Sequence, residues 1–126
     1  WTWEVSVAAL ACGLVIDTML MVNNFRDRDE DARCDKRTVV VCLGAGVGRW
    51  GYFALGAAAV ALCLTLLAGG RPWAALLPLA YLVAHTATWR KMVRIDHGEE
   101  LNVCLGETAR NILLFGALFT AGILLG

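Results

Sequence analysis

The sequence predicts an all-α fold, an integral membrane helical bundle with four transmembrane helices. Hydrophobic residues make up 59% of its 126 residues, and its mean hydropathy is +0.63. Four apolar stretches approach the roughly 20 residues that a helix needs to cross the hydrocarbon of a bilayer. They are about residues 5–22, 50–68, 73–89 and 111–125. We therefore expect a single transmembrane domain over residues 1–126, with the lipid bilayer as a partner and no nucleic acid.

The composition of the four spans favours lipid over water. The first span contains one charged residue, Asp17, and the segment Ala54–Ala68 of the second contains none. A soluble bundle would instead show a polar stripe along each helix. Trp73 and Trp89 flank the third span, as is common at membrane interfaces, and Asn111 gives the fourth a polar entry. Because backbone groups in hydrocarbon must be paired within their own segment, all four spans predict helices and no strand.

The distribution of positive charge predicts the orientation of the spans. The net charge is zero, but ten of the eleven Lys and Arg residues lie in two polar segments, about 23–49 and 90–110. The turn Gly69–Pro72 carries only Arg71. Since basic loops are retained in the cytoplasm, we expect both polar segments on the cytoplasmic side of the cell (inner) membrane. The short turn, both chain ends and the interfacial Trp1 and Trp3 are then expected on the outer side.

The first polar segment contains a dense acidic motif, NNFRDRDEDARCDKRT, over residues 23–38. If the first helix continues through it at about 100° per residue, one face collects four oxygen-bearing side chains within about 80° of arc. They are Asn24, Asp27, Asp31 and Asp35. Asp29 and Glu30 are expected to point elsewhere.

A row of carboxylates one turn apart repels itself, so it is best explained by a bound cation. Carboxylate and amide oxygens suit a hard ion such as Mg²⁺, which completes its coordination with water and phosphate oxygens. Lys36 and Arg37 are then available to neutralise the phosphate. Asp17 lies seven residues before Asn24 on the same helical face, deep in the span, where an ionisable group usually faces a bundle interior or a wet cavity.

Other interpretations of these charges stay open on spacing alone. The motif is also compatible with a salt-bridged helix end in which Arg26, Arg28 and Arg33 pair with the acids. Asp17 is also compatible with a buried packing residue. Two non-catalytic functions therefore compete with an enzyme, a membrane cation-binding or transport protein and a subunit that docks a cytoplasmic partner.

The same residues resemble those of a known family. Asn23-Asn24-Phe25-Arg26-Asp27 and Asp31, followed by Lys36-Arg37-Thr38 and Leu43-Gly44, are similar to the second aspartate-rich motif of the UbiA-type membrane prenyltransferases. Within that family they resemble the branch that acts on 1,4-dihydroxy-2-naphthoate (MenA). Leu101-Asn102, Thr108-Ala109-Arg110 and Leu113–Gly116 resemble the start of the last span of that branch.

The resemblance implies a function and a role for each matched position. It implies Mg²⁺-dependent transfer of a prenyl group from a polyprenyl diphosphate to 1,4-dihydroxy-2-naphthoate, with decarboxylation, to give demethylmenaquinone. Asn24, Asp27 and Asp31 resemble metal-diphosphate ligands, with Asn23 as an alternate, and Lys36 and Arg37 resemble diphosphate contacts. Asn102, Thr108 and Arg110 are expected in the cavity wall, whereas His85 and His97 are not expected to be ligands. Another aromatic acceptor within the same family is the alternative.

Two departures from the family pattern affect these expectations. Asp35 stands where relatives usually have a small residue such as Gly, so we do not expect it to bind metal. Family members have about nine spans and a first Asp-rich motif in their N-terminal half. We therefore expect this chain to be the C-terminal half of a longer enzyme, and to be inactive without the half that carries the other motif.

Overall fold

The computed structural model describes residues 2–126 and contains seven α-helices in that range. The expected position of Trp1 lies outside these residues. The helices are α1 (Trp3–Arg26), α2 (Arg28–Arg33), α3 (Val39–Leu43), α4 (Ala45–Leu64), α5 (Pro72–Leu76), α6 (Pro78–Ile95) and α7 (Asn102–Leu125). No strand occurs among residues 2–126, so the prediction of an all-α fold is confirmed.

Three segments are long and apolar enough to cross a membrane, and they are Trp3–Arg26, Ala45–Leu67 and Glu99–Leu125. They contain the first, second and fourth predicted spans. The third predicted span is divided between α5 and α6, with Pro78 as the first residue of α6. Helix α6 also carries Arg90, Lys91 and Arg94 near its end, which lowers its apolar character. A fourth crossing therefore stays a prediction.

The long helices form a ring of four. Helix α1 packs against α4 and α7, and α6 packs against α4 and α7 on the opposite side. The short helix α5 fills the space beside α7. The core inside this ring consists of small and aromatic side chains, among them Ala11, Ala59, Tyr81 and Phe115. Because small residues let helix backbones approach closely, packing in lipid can stabilise the bundle without a water-driven hydrophobic effect.

The ring places the two polar segments of the chain at the same end of the bundle. Residues of the α1–α2 junction and of the α6–α7 loop line one cleft there. At the other end, Glu4 and Arg71 lie around a separate apolar groove with Phe119 and Ile123. The end that carries the two segments is called the polar end below. This arrangement agrees with the predicted common location of the segments, and their assignment to the cytoplasm stays a prediction.

A buried polar layer crosses the middle of the ring. His85 of α6 is fully buried between the rings of Tyr52 and Tyr81, with ring centroids 4.7 and 5.4 Å away. Its Nε2 lies 3.3 Å from the backbone oxygen of Phe53, which can only accept, so Nε2–H donates there and Nδ1 accepts from the Tyr81 hydroxyl. His85 is therefore engaged in packing and hydrogen bonding within the core.

Gly56 and Gly122 allow close contacts between helices of the bundle. A Cβ atom on Gly56 of α4 would overlap the imidazole of His85. A Cβ atom on Gly122 of α7 would lie 2.6 Å from Cα of Ala74 in α5. Both positions therefore require glycine for steric reasons.

We predict that Gly56→Ala destabilises the bundle by about 1–3 kcal/mol, because the added methyl group displaces the His85 ring from its hydrogen bonds. Thermal unfolding in detergent, followed by circular dichroism, measures the effect. Gly116→Ala is the matched control, since Gly116 lies in α7 with no heavy atom within 4 Å of its added Cβ. Equal losses of stability in the two variants would show that the Gly56–His85 contact has no special contribution to stability.

Candidate functional site

The acidic motif does not form one continuous helix with α1. Its first residues belong to the last turn of α1, and the residues directly after Asp27 form the short helix α2. Helix α1 ends at Arg26, Asp27 adopts φ −91° and ψ 6°, and α2 begins at Arg28. The backbone N–H of Asp31 donates to the carbonyl oxygen of Asp27 at 2.8 Å, so the two acids stay one turn apart. Asp27 thus sits at a change of helix direction.

The backbone conformation at the end of the motif accounts for the residue types at these positions. Asp35 has φ 58°, a left-handed conformation that glycine adopts most easily and that Asp tolerates. The chain has an exposed Asp at this position. The Thr38 hydroxyl accepts from the N–H of Val41 and caps α3, and Gly44 with φ 100° separates α3 from α4. These turns return the chain to the bundle.

A cleft of about 400 Å³ opens between the α1–α2 junction and the loop that precedes α7. We call it the polar cleft. Its walls are Arg26, Asp27, Asp29, Glu30, Arg33, His97, Gly98, Glu99 and Asn102. Among the predicted site residues, it brings together Asp27 and Asn102, which lie 75 positions apart in the sequence.

Arg26 connects these two predicted residues. Its Nε donates to Oδ1 of Asp27 at 2.8 Å, and its Nη2 donates to Oδ2 of the same carboxylate at 3.1 Å. Its Nη1 donates to Oδ1 of Asn102 at 2.9 Å. One guanidinium therefore holds the end of α1, the acidic motif and the start of α7 in one hydrogen-bonded group.

This contact changes the acidity of the motif. The hydrogen bonds from Arg26 lower the pKa of Asp27 below its ordinary value of 3.8, and the positive charges of Arg26 and Lys36 act in the same direction. Partial burial of the carboxylate opposes the shift. Asp27 is consequently ionised throughout the neutral range.

A second group of charges, around Asp96, holds the α6–α7 loop over the motif. Asp96 adopts φ 64°, and its Oδ1 lies 3.4 Å from Nη2 of Arg28 and 3.2 Å from Nη1 of Arg49. Arg28 is buried, with a side chain only 9% exposed, and it also donates to the carbonyl oxygen of Phe25 at 2.9 Å. Because an unpaired buried charge is costly, these contacts fix the loop to α2 and α4.

His97 completes the Asp96 group. Nη2 of Arg28 lies 2.8 Å from Nε2 of His97, and an arginine can only donate, so Nε2 accepts. Nδ1 then carries the proton and faces Oδ2 of Asp96 at 2.9 Å. His97 is therefore engaged in positioning the loop.

The remaining predicted site residues lie around the polar cleft or away from it. Asn23, Asn24 and Asp31 are partly buried next to the α1–α2 junction, and Lys36 and Arg37 are exposed in the turn after α2. None of these five lines the polar cleft. Asp17 is exposed on the outer face of α1, inside the span.

Two of the three polar residues of α7 that were expected in the cavity wall, Thr108 and Arg110, make contacts elsewhere in the bundle. Thr108 is buried, and its hydroxyl lies 2.7 Å from the Tyr52 hydroxyl. Arg110 donates to Oδ1 of Asn111 at 3.1 and 3.3 Å. Neither residue lines the polar cleft.

One expectation about the motif is wrong. Asp29 and Glu30 were expected to point away from Asp27, yet all three line the polar cleft. The expectation assumed one straight helix, whereas the helix direction changes at Asp27. The alternative in which Arg26 pairs with an acid is borne out at Asp27, whereas the contact of Arg26 with Asn102 was not expected from the sequence.

A Mg²⁺ ion requires several oxygen ligands, and the acidic motif can supply only some of them. Among residues 2–126, no group of three or more His, Cys, Asp or Glu side chains is arranged to hold a metal. Mg²⁺ commonly uses only one or two protein carboxylates together with phosphate and water oxygens. Asp27 and Asp31 lie one turn apart and supply that number of carboxylates, while both oxygens of Asp27 accept hydrogen bonds from Arg26; their role as metal ligands stays a prediction.

Comparison with known proteins agrees with the motif and the fold. The family model described as the UbiA prenyltransferase family matches residues 1–105, and the chain therefore belongs to this family of membrane proteins. A relative from Haemophilus influenzae, named 1,4-dihydroxy-2-naphthoate octaprenyltransferase, is 28% identical over 139 aligned positions. The alignment covers 98% of this chain and 40% of that relative. No solved structure matches the chain.

We predict that Arg26→Gln raises the pKa of Asp27 towards its ordinary value, because both hydrogen bonds to the carboxylate are lost. A folded pKa that is lowered stabilises the protein above the unfolded pKa, and this stability disappears as the pH falls through the folded pKa. The ¹³C shift of the Asp27 carboxyl group, titrated in detergent micelles, measures the change. Arg33→Gln removes a charge from the same cleft and should leave the midpoint nearly unchanged; equal shifts would contradict the assignment.

We also predict that Asp96→Asn lowers the stability of the polar end by about 1–2 kcal/mol, since it leaves buried Arg28 without a carboxylate partner. Asn retains the tolerance for φ 64°, so the effect reports the charge. Thermal unfolding and amide exchange of residues 96–102 measure it. Asp35→Asn, at an exposed aspartate that also has positive φ, is the control and should behave like the wild type. Unchanged exchange in Asp96→Asn would show that the loop is held in another way.

Proposed function

We propose that this chain supplies the second aspartate-rich half-site of a Mg²⁺-dependent aromatic prenyltransferase. The proposed reaction transfers a prenyl group from a polyprenyl diphosphate to 1,4-dihydroxy-2-naphthoate, giving the quinol form of demethylmenaquinone in menaquinone biosynthesis. The observation that carries the proposal is the polar cleft, where Asp27 of the motif and Asn102 of the last helix meet through Arg26. Family membership and the name of the relative from Haemophilus influenzae support the choice of reaction.

The position of the cleft suits a substrate with a charged head and an apolar tail. The carboxylates lie at the end of helices whose outer faces are apolar, with Leu20, Val103 and Leu113 exposed by more than half. A polyprenyl tail can therefore remain against lipid-facing helices while its diphosphate reaches Asp27. We propose that the polar end faces the cytoplasm across the inner membrane, because ten of the eleven basic residues lie in the two polar segments that meet there.

In the proposed reaction, the allylic C–O bond of the donor breaks and diphosphate leaves with the electron pair. The ring carbon that bears the carboxylate forms the new C–C bond, and carbon dioxide is released. Mg²⁺, when bound, neutralises the negative charge that develops on the diphosphate. Asp27 and Asp31, with Asn24 or Asn23, would hold the metal.

The basic residues after α2 have a separate role in the proposal. Lys36 and Arg37 are exposed in the turn that follows α2. The positive charge of Lys36 contributes to the lowered pKa of Asp27. Both side chains can therefore reach the outer oxygens of a diphosphate held at Asp27. Asp17, two helical turns deeper on the face of Asn24, is proposed to line the path of the substrate towards the part of the enzyme that precedes this chain.

The chain spans 40% of the length of the relative that it matches. We propose that the preceding segment of the enzyme carries a second acidic motif and faces the polar cleft across the substrate. These 126 residues expressed alone are then expected to show no turnover, because half of the metal site is missing.

The proposal is tested in membranes that contain the full-length protein, supplied with a polyprenyl diphosphate and 1,4-dihydroxy-2-naphthoate, with and without Mg²⁺. The expected product is the decarboxylated, prenylated naphthoquinol, formed only with the metal. We predict that Asp27→Asn lowers kcat by at least about 100-fold, since it removes a charge that binds the metal-diphosphate.

Asp35→Asn is the control for charge loss in the same segment and should retain activity. Product formation in Asp27→Asn at the wild-type rate would contradict the proposal. Preference for hydroxybenzoate or homogentisate would assign a different acceptor within the same family.

A further inference from the structure

We propose that Arg26 competes with the divalent cation for Asp27 and becomes a ligand of the diphosphate once the cation takes its place. The inference rests on the proposed function and adds a residue that the acidic motif alone does not assign to the metal-diphosphate site. In the metal-free protein, Arg26 acts as an internal counter-ion. In the loaded protein, it acts as an anion-binding group supplied by the motif itself.

The carboxylate of Asp27 is already bound by Arg26. Arg26 donates to both carboxylate oxygens, at 2.8 and 3.1 Å. This paired geometry occupies one lone pair of each oxygen and places a positive charge beside the position that a divalent cation would take. Arg26 and the cation therefore repel each other at Asp27, and binding of one opposes binding of the other.

Arg26 is also tethered to α7. Nη1 of Arg26 donates to Oδ1 of Asn102 at 2.9 Å, and this bond does not involve Asp27. After it leaves the carboxylate, the guanidinium is still held by Asn102 at the wall of the polar cleft. Two of its donor atoms, Nε and Nη2, are then free, and a planar pair of N–H groups matches two oxygens of a phosphate.

The polar cleft carries an excess of negative charge. Its walls carry four carboxylates, those of Asp27, Asp29, Glu30 and Glu99, and two guanidinium groups, those of Arg26 and Arg33. Four negative and two positive charges give a formal net charge of −2, which repels a free diphosphate. Binding of a divalent cation cancels this excess and releases Arg26, so cation binding and anion binding are coupled through one side chain.

The experiment uses the full-length protein in lipid nanodiscs and measures two affinities. Mn²⁺ binding is followed by the loss of the free-ion signal in electron paramagnetic resonance, and binding of inorganic pyrophosphate at saturating Mn²⁺ is followed by calorimetry. For Arg26→Gln we expect Mn²⁺ to bind about fivefold more tightly, the size of effect typical of a partly exposed ion pair, and pyrophosphate to bind about fivefold more weakly. Structural damage would weaken the binding of both Mn²⁺ and pyrophosphate. Changes of opposite sign in the two affinities therefore indicate competition.

Arg33→Gln is the matched control, because Arg33 lines the same cleft and is absent from the hydrogen bonds that Asp27 receives from Arg26. It should change each affinity by less than about twofold. Arg26→Lys keeps the charge without the paired geometry and should give a smaller change of the same sign in Mn²⁺ affinity. This variant also provides the measurement if Arg26→Gln does not fold.

Three results would overturn the inference. If Mn²⁺ binding depends on Asp27 but is no tighter in the Arg26 variants, the inference is wrong while the proposed function stands. If Arg33→Gln equals Arg26→Gln in both affinities, the effect is that of total charge and not of the Asp27 contact. If Asp27→Asn binds Mn²⁺ as the wild type does, the inference and the proposed metal site both fail.

Discussion

The burial of the Arg28 guanidinium constrains the polar end of the bundle. Arg28 follows Asp27 directly, and its side chain is only 9% exposed, so its donors must be satisfied by protein groups. The Phe25 carbonyl oxygen is supplied by α1, whereas Asp96 and His97 come from the loop between α6 and α7. Since a buried charge without partners costs several kcal/mol, this loop has little freedom to leave the motif. The position of Asn102, and with it the Arg26–Asp27 contact, follows from that constraint.

The membrane part of the chain supports the polar end through a second set of polar contacts. Asn111 of α7 is buried and donates to the Thr88 hydroxyl of α6 at 3.0 Å. Thr88 in turn donates to Glu107, which is also paired with Lys91. Within lipid, polar groups on neighbouring helices have few alternative partners, so these bonds specify how α6 and α7 align. The loop that joins the two helices therefore starts and ends on a fixed frame.

The sequence was sufficient to predict three of the apolar helices and the common location of the polar segments. It also named Asp27 and Asn102, which the structure brings to one cleft. These features depend on hydropathy, charge and motif spacing, which are local properties. It was not sufficient to predict the contacts of Arg26, because a guanidinium between several acids has many possible partners until the fold selects one. The error about Asp29 has a related cause, since helical periodicity cannot reveal that the helix turns at Asp27. The break at Pro78 was similarly hidden, because proline is compatible with the first turn of a new helix.

The central claim is that the acidic motif and the α6–α7 loop form the two walls of one cleft. Cross-linking of Asp29→Cys to His97→Cys by a short bismaleimide, in full-length protein in its membrane with Cys34 and Cys42 replaced by serine, tests it most directly. Oδ2 of Asp29 lies 3.5 Å from Nε2 of His97. Because cysteine side chains are shorter than those of Asp and His, the two thiols are separated by a gap that a short linker spans, and efficient cross-linking is expected. The pair Asp35→Cys with His97→Cys provides the comparison and should remain unlinked. A 29–97 pair that stays unlinked, or that links no faster than the 35–97 pair, would contradict the cleft on which the account depends.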